Sequence, residues 1–244
     1  MMQTSTWFED WFDSPYYHLL YNKRDDVEAE FFIRNIFNLI KFTPHSKIWD
    51  ISCGKGRHCI SFAEKGMLVT GSDLSFKSIS EAQSQNIPNT EFLIHDMRKL
   101  FRTSYFDCAL NLFTSIGYFE KYEENFSVFK NISVSLRPNG IFIVDFFNSN
   151  KIIKTLKKDY SEQREEINFK INKQIIDKRI HKKIKFDHKN KSFCFEECVC
   201  LLDKEDFDKF GKNCGLKLEH VFGDYSLHKF NLQTSDRLIL IFKK

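Results

Sequence analysis

Trp49-Asp50-Ile51-Ser52-Cys53-Gly54-Lys55-Gly56-Arg57-His58 is the stretch of this chain best equipped to hold a ligand. It follows an apolar run, Lys47–Ser52, and opens a helical pattern, Arg57–Lys65. Gly54 and Gly56 lack Cβ, so the backbone can turn sharply and a ligand can lie against it. Strand ends that feed helices are where open α/β sheets bind ligands. Asp73 lies 19 residues after Gly54, at the end of the next apolar run, Leu68–Ser72. An acid about 20 residues past such glycines accepts hydrogen bonds from ribose hydroxyls. A third run, Glu91–His95, leads into Asp96 and Met97. There a carboxylate can accept from an exocyclic amine, with an apolar neighbour against the base. One acid at a strand tip is an ordinary surface residue or cap. Three successive tips at compatible spacing point to a nucleoside site.

The nucleoside is not a dinucleotide, because Cys59 stands where G-x-G-x-x-G needs its third glycine. No GxxxxGK[ST] loop occurs, so a phosphate cradle for ATP is not supported either. The seven cysteines form no CxxC pair. Cys194, Cys198 and Cys200 would share one face of a strand, but C-x3-C-x-C is not a zinc spacing. They read as free thiols in a reduced compartment, and no metal is expected. His58 reads as structural or cofactor-adjacent.

The elements that must carry these tips alternate along the chain. After Lys47–Ser52 come Arg57–Lys65 (helix), Leu68–Ser72 (strand), Phe76–Gln85 (helix) and Glu91–His95 (strand). Phe106–Phe113 (strand), Glu123–Leu136 (helix) and Ile141–Phe147 (strand) follow, the last pair separated by Arg137-Pro138-Asn139-Gly140. Strands alternating with helices make βαβ units, hence a parallel sheet. Runs such as IFIVDFF, apolar on both faces, fit strands covered on both sides. Helix Asp203–Cys214 and strands Leu216–Phe222 and Arg237–Phe242 close the fold as an antiparallel pair. The expected class is a doubly wound, Rossmann-like α/β fold with a seven-stranded, mostly parallel sheet. Lysine-laced segments Ile167–Phe186 and Phe193–Leu202, without crossover helices, form an inserted antiparallel β excursion. The expected organisation is an N-terminal helical cap (1–46), a cofactor core (47–150), a basic β-rich insertion (151–202) and a closing unit (203–244).

Composition bounds the rest. With 244 residues, 42% hydrophobic and 29% charged, the chain can bury a full core. No basic start runs into an apolar stretch and no 18-residue apolar run occurs, so a soluble cytoplasmic protein without a membrane partner is expected. Residues 151–191 hold 14 Lys+Arg against 6 Asp+Glu, a local +8, while the remainder is at −4. Such a segment suits an anionic small molecule, an RNA, or simply a solvated face.

Asp50-Ile51-Ser52-Cys53-Gly54-Lys55-Gly56 resembles the first motif of class I S-adenosylmethionine-dependent methyltransferases, commonly DLGCGTG. Ser72-Asp73-Leu74-Ser75 is similar to the second motif and His95-Asp96-Met97 to the third. Phe106–Phe113 is similar to the fourth, and Leu136-Arg137-Pro138-Asn139-Gly140 to the turn before the fifth strand. The tail, Val221-Phe222-Gly223-Asp224-Tyr225 with Ser235-Asp236-Arg237-Leu238-Ile239, resembles a subgroup of small bacterial methyltransferases in which a β-rich insertion covers the active site. The resemblance implies S-adenosylmethionine as cofactor. Asp50 and the Ser52–Gly56 backbone, Cys53 and Gly54 included, would hold its methionine end. Asp73 would take the ribose hydroxyls, with Leu74 on the adenine, Asp96 on the adenine amine and Met97 flanking the ring. Asn111 and Phe113 would face the sulfonium. Ser52 stands where the family usually has glycine, and would crowd the loop if that position needs positive φ; Lys55 replaces a small residue. Tyr16, Tyr17, Tyr21, Tyr118 and Phe147 would line the acceptor side, and Arg24 could pair with the cofactor carboxylate. No catalytic base is assigned. Neither the (N/D)PP(Y/F) signature of amino-methylating enzymes nor a Pro-Cys nucleophile occurs. A small-molecule acceptor is therefore expected. An RNA acceptor drawn by the basic segment and a non-catalytic nucleoside-binding module stay open, as does the oligomeric state.

Overall fold

The computed structural model describes residues 7–21 and 26–244. Arg24 lies outside them. Three helices lead: α1 (Trp7–Phe12), α2 (Pro15–Leu20) and α3 (Asp26–Leu39). The alternating core follows, with β1 (Lys47–Ile51), α4 (Arg57–Glu64), β2 (Leu68–Asp73), α5 (Phe76–Ser84), β3 (Thr90–Ile94), β4 (Phe106–Asn111), α6 (Tyr122–Ser135) and β5 (Leu136–Phe147). Then come α7 (Ser149–Thr155), four strands β6 (Asp159–Arg164), β7 (Ile167–Ile176), β8 (Arg179–His188) and β9 (Lys191–Cys200), helix α8 (Lys204–Asn213), β10 (Lys217–Phe222) and β11 (Arg237–Lys243).

The large sheet has seven strands in the order β10-β11-β5-β4-β1-β2-β3. Strands β1 to β5 pair in parallel, and β11 runs antiparallel to both β5 and β10. This is the doubly wound fold read from the alternation of runs. Successive residues of β1, Ile48 and Trp49, go to different core clusters. One cluster holds Phe129, Phe142, Phe207 and Phe242; the other holds Phe32 and Ile36 of α3 with Phe62 of α4. Burial on both faces is why these strands read as continuous apolar runs.

The excursion after β5 is a second sheet in the order β6-β7-β8-β9. Two apolar segments were read there from the sequence; the structure has four strands. Their hairpins turn at Glu165, at Asp177-Lys178 and at Lys189-Asn190, all at positive φ. Two-residue turns with φ > 0 match the strand twist but normally advertise themselves by glycine, and these contain none. Along β7 and β8, Ile167, Phe169, Ile171, Ile184 and Phe186 bury against Trp11 and Leu20 of the N-terminal helices. The alternate residues, such as Lys170, Lys183 and Lys185, are exposed. Among the described residues, no helix is long and apolar enough to cross a membrane.

Candidate active site

At the C-terminal ends of β1, β2 and β4 lies a pocket of about 370 Å³. Its floor is the β1–α4 loop. Ser52 takes φ +61, Gly54 +55 and Gly56 +84, so the chain makes three left-handed steps within five residues. Ser52 occupies one of them with an L side chain, which confirms that this position requires positive φ and costs about 1–2 kcal/mol. Gly56 caps α4, and a Cβ there would meet the Phe92 ring at 2.7 Å. Around Gly54 there is nothing within 4 Å. Gly56→Ala is therefore expected to combine left-handed strain with overpacking and destabilise by about 2–4 kcal/mol. Gly54→Ala should cost only the strain, about 1–2 kcal/mol. Urea titration of both variants checks the ranking, and equal losses would contradict it.

Two carboxylates bound the floor. Asp50 is 1% exposed, and burial pushes its carboxyl up to about 7, with the Cys59 thiol and the Arg57 charge opposing. Cys59 Sγ donates to Asp50 Oδ2 at 3.3 Å. Burial also raises the Asp73 carboxyl against the pull of backbone N–H groups. Gly54 N donates to Asp73 Oδ2 and Ser75 N to Oδ1, both at 2.9 Å. Asp73 thus ties the glycine loop to the tip of β2 and keeps lone-pair capacity for a further donor. Burial, with the neighbouring Arg57 charge, pulls His58 down to about 3. Its imidazole is neutral, and too weak a base at neutral pH to take a proton from an acceptor.

The residues singled out by spacing divide. Asp50, Ser52, Cys53, Gly54, Asp73, Leu74, Met97 and Phe113 all line the pocket, together with Tyr17, Tyr21 and Tyr118. Gly56 lies just behind, shaping the loop. Asp96 does not line it: partial burial is outweighed by Arg98, which holds the carboxyl below the usual range. Arg98 Nη2 and Nε reach it at 2.8 and 3.1 Å, leaving His95 and Met97 on the wall. Asn111 is fully buried and spends its amide on Ile51 O and Ile116 N, at 3.3 and 3.2 Å. Tyr16 faces the second sheet, its hydroxyl 2.9 Å from His188 Nδ1 and its ring on Phe186 and Phe193. Phe147 packs tilted against Phe146, ring centres 4.2 Å apart, and does not line the pocket.

The roof was less legible. Phe8 and Phe12 of α1 and Phe119 join Tyr17, Tyr21 and Tyr118 over the cavity. They are held there by the second sheet. Glu197 of β9 accepts from Trp11 Nε1 and from the Tyr21 hydroxyl, both at 2.7 Å, and Lys182 Nζ lies 3.5 Å from the same carboxylate and donates to the Tyr21 hydroxyl. Asp13, between α1 and α2, accepts from Ser75 at the start of α5. Cys198 and Cys200 do share a face, but the Arg179 guanidinium contacts both sulfurs, at 2.9 and 2.7 Å.

The comparisons agree with this geometry. The methyltransferase-domain family profile matches residues 48–140, which is the span from β1 to the bulge that opens β5. The chain is 26% identical over 200 residues to YqeM of Bacillus subtilis, named a methyltransferase, covering 74% of this chain and 77% of that one. It is 28% identical over 132 residues to dTDP-3-amino-3,4,6-trideoxy-alpha-D-glucopyranose N,N-dimethyltransferase of Streptomyces venezuelae, covering 53% and 54%. An S-adenosylmethionine-dependent methyltransferase from Clostridium acetobutylicum superposes with a TM-score of 0.80 over 93% of this chain and 95% of that one, at 23% identity. Residues 48–140 match the methyltransferase-domain family, and the whole chain shares its fold with S-adenosylmethionine-dependent methyltransferases.

Proposed function

We propose that this enzyme transfers a methyl group to a nitrogen of a small-molecule acceptor, with the cofactor seated on the β1–α4 loop. The observation that carries this reading is the pair of buried carboxylates, Asp50 and Asp73, on either side of the open Gly54 backbone. One acid can meet an ammonium group, and the other has lone-pair capacity left for a ribose hydroxyl. When bound, S-adenosylmethionine supplies an activated methyl on a sulfonium. The protein's own work is then alignment and exclusion of water, and positioning alone can supply roughly 7–11 kcal/mol. Asp50 and the Ser52–Gly56 backbone would hold the methionine end, Asp73 the ribose, and Leu74 and Met97 the adenine faces. Phe8, Phe12, Tyr17, Tyr21 and Tyr118 would form a dry wall on the acceptor side. An amine acceptor is favoured over a hydroxyl because the Streptomyces venezuelae relative is, by name, an N,N-dimethyltransferase of an amino sugar. Amines need little help from a base once neutral, in keeping with the weakly basic His58.

Thermal melting with S-adenosylmethionine, S-adenosylhomocysteine and NAD, beside Asp73→Ala, tests the cofactor assignment. A ligand at 100 times its dissociation constant stabilises by about 2.7 kcal/mol, or roughly 5–10 °C for a chain of this size. The two sulfur nucleosides should produce that shift, and Asp73→Ala should lose it. A shift with NAD alone, or with nothing, would defeat the assignment. Release of S-adenosylhomocysteine with amino sugars but not with their hydroxyl counterparts would support the acceptor class.

A further inference from the structure

Asp145, near the end of β5, is 1% exposed and lies off the pocket. Its carboxylate nevertheless collects donors from three distant parts of the chain. Arg237 Nε donates to Oδ1 at 2.7 Å. The Tyr225 hydroxyl and the backbone N–H of Phe113 donate to Oδ2, both at 3.0 Å. Arg237 continues to Thr114, its Nη2 donating to Oγ1 at 3.2 Å, and its guanidinium lies 5.4 Å from the Phe113 ring centre. The Thr114 N–H donates to the Asp145 carbonyl at 2.9 Å.

Phe113 and Thr114 need this support. They sit at φ +72 and +64, two consecutive left-handed residues, neither of them glycine. Left-handed residues with a Cβ persist only where their surroundings over-determine them, and they gather at binding sites. Here the turn places Phe113 on the pocket wall. A charge pair serving stability alone would have no reason to engage the N–H and the hydroxyl of the two strained residues.

We infer that Asp145, Tyr225 and Arg237 are positioning residues that fix the Phe113–Thr114 turn against the sulfonium and methionine half of the cofactor site. The inference rests on the cofactor placement proposed above. It assigns a function to the C-terminal tail, which reaches back from β10 and β11 to set one wall of a pocket built by the first half of the chain. The adenosine half, at Asp73 and Leu74, has its own supports and is independent of the bracket.

The test is the binding of S-adenosylhomocysteine and of adenosine, by calorimetry and by competition, to the full-length wild type, Tyr225→Phe and Arg237→Lys, below the melting range of each. Tyr225→Phe removes one donor to Asp145. Arg237→Lys keeps the charge but cannot span Asp145 and Thr114 together. Both should weaken S-adenosylhomocysteine by about tenfold, the size of one charge-assisted hydrogen bond, and leave adenosine within about twofold. An equal loss for both ligands would show a merely structural pair and overturn the inference. So would unchanged affinity for both. If the wild type binds neither nucleoside, the cofactor reading itself has failed and the bracket's role falls with it. Binding by the wild type with no selective loss in the variants removes the bracket alone.

Discussion

Asp50→Asn is expected to make the ligand-free protein more stable at pH 8 while abolishing its response to S-adenosylmethionine. Burial holds the Asp50 carboxyl at about 7, against 3.8 for an unperturbed carboxyl. Because the folded value is the higher one, stability is greatest below the unfolded value and falls as pH rises from about 4 to 7. Above that window the penalty is constant, at about 4 kcal/mol for the full shift at 1.36 kcal/mol per unit. Asparagine keeps the shape, and can still accept from the Cys59 thiol, without ever carrying the charge. The variant should therefore melt roughly 8–16 °C above wild type at pH 8 and level with it near pH 4. The charge it lacks is the one proposed to meet the cofactor's ammonium group, so the ligand-induced shift should vanish. Melting curves at both pH values, with and without cofactor, decide the matter. A variant no more stable at pH 8 would mean that wild-type Asp50 is comfortably ionised, and a retained ligand shift would take the charge out of cofactor binding.

Arg237→Met is expected to destabilise by about 3–5 kcal/mol, the usual loss when one partner of a buried pair is removed and the other stays. Asp145, almost fully buried, would be left with only the Tyr225 and Phe113 donors. Melting should fall by about 10 °C or more. The double variant Asp145→Asn with Arg237→Met separates causes. The Asp145→Asn amide would carry no charge yet could still accept from Phe113 N–H, so much of the loss should be regained. If the double variant is as unstable as the single one, packing rather than the stranded charge accounts for the effect.

Local regularities were legible in the residues. A two-sided apolar run followed by a helical pattern is the same signal wherever it occurs, so the order of β1 to β5 and the helices between them could be read directly. Glycines at a strand-to-helix turn and an acid 19 residues later are likewise properties of short spacings, and the structure brings Asp50, Gly54 and Asp73 to one pocket. Spacing says which residues reach a strand tip, not which neighbours compete for them there. Asp96 carries the right chemistry, but Arg98, two residues on, takes its carboxylate. Asn111 ends the right strand, yet the loops around it claim its amide. The glycine-free turn at Asp177-Lys178 hid one hairpin inside the run Ile167–Phe186, because it lacks the glycine that marks a two-residue turn, and β6 lay ahead of that run.

The sequence alone thus determined the layered α/β architecture and the nucleoside-sized corner where β1 and β2 end, since both follow from periodicity and from residues a few tens of positions apart. Tertiary structure decided what closes and braces that corner. The roof depends on Glu197 meeting Trp11 and Tyr21, 186 and 176 residues away. The Phe113 wall depends on Asp145 meeting Tyr225 and Arg237. A hydrogen bond is a matter of ångströms in space and leaves no period along the chain, so such partners are settled only when the sheets pack.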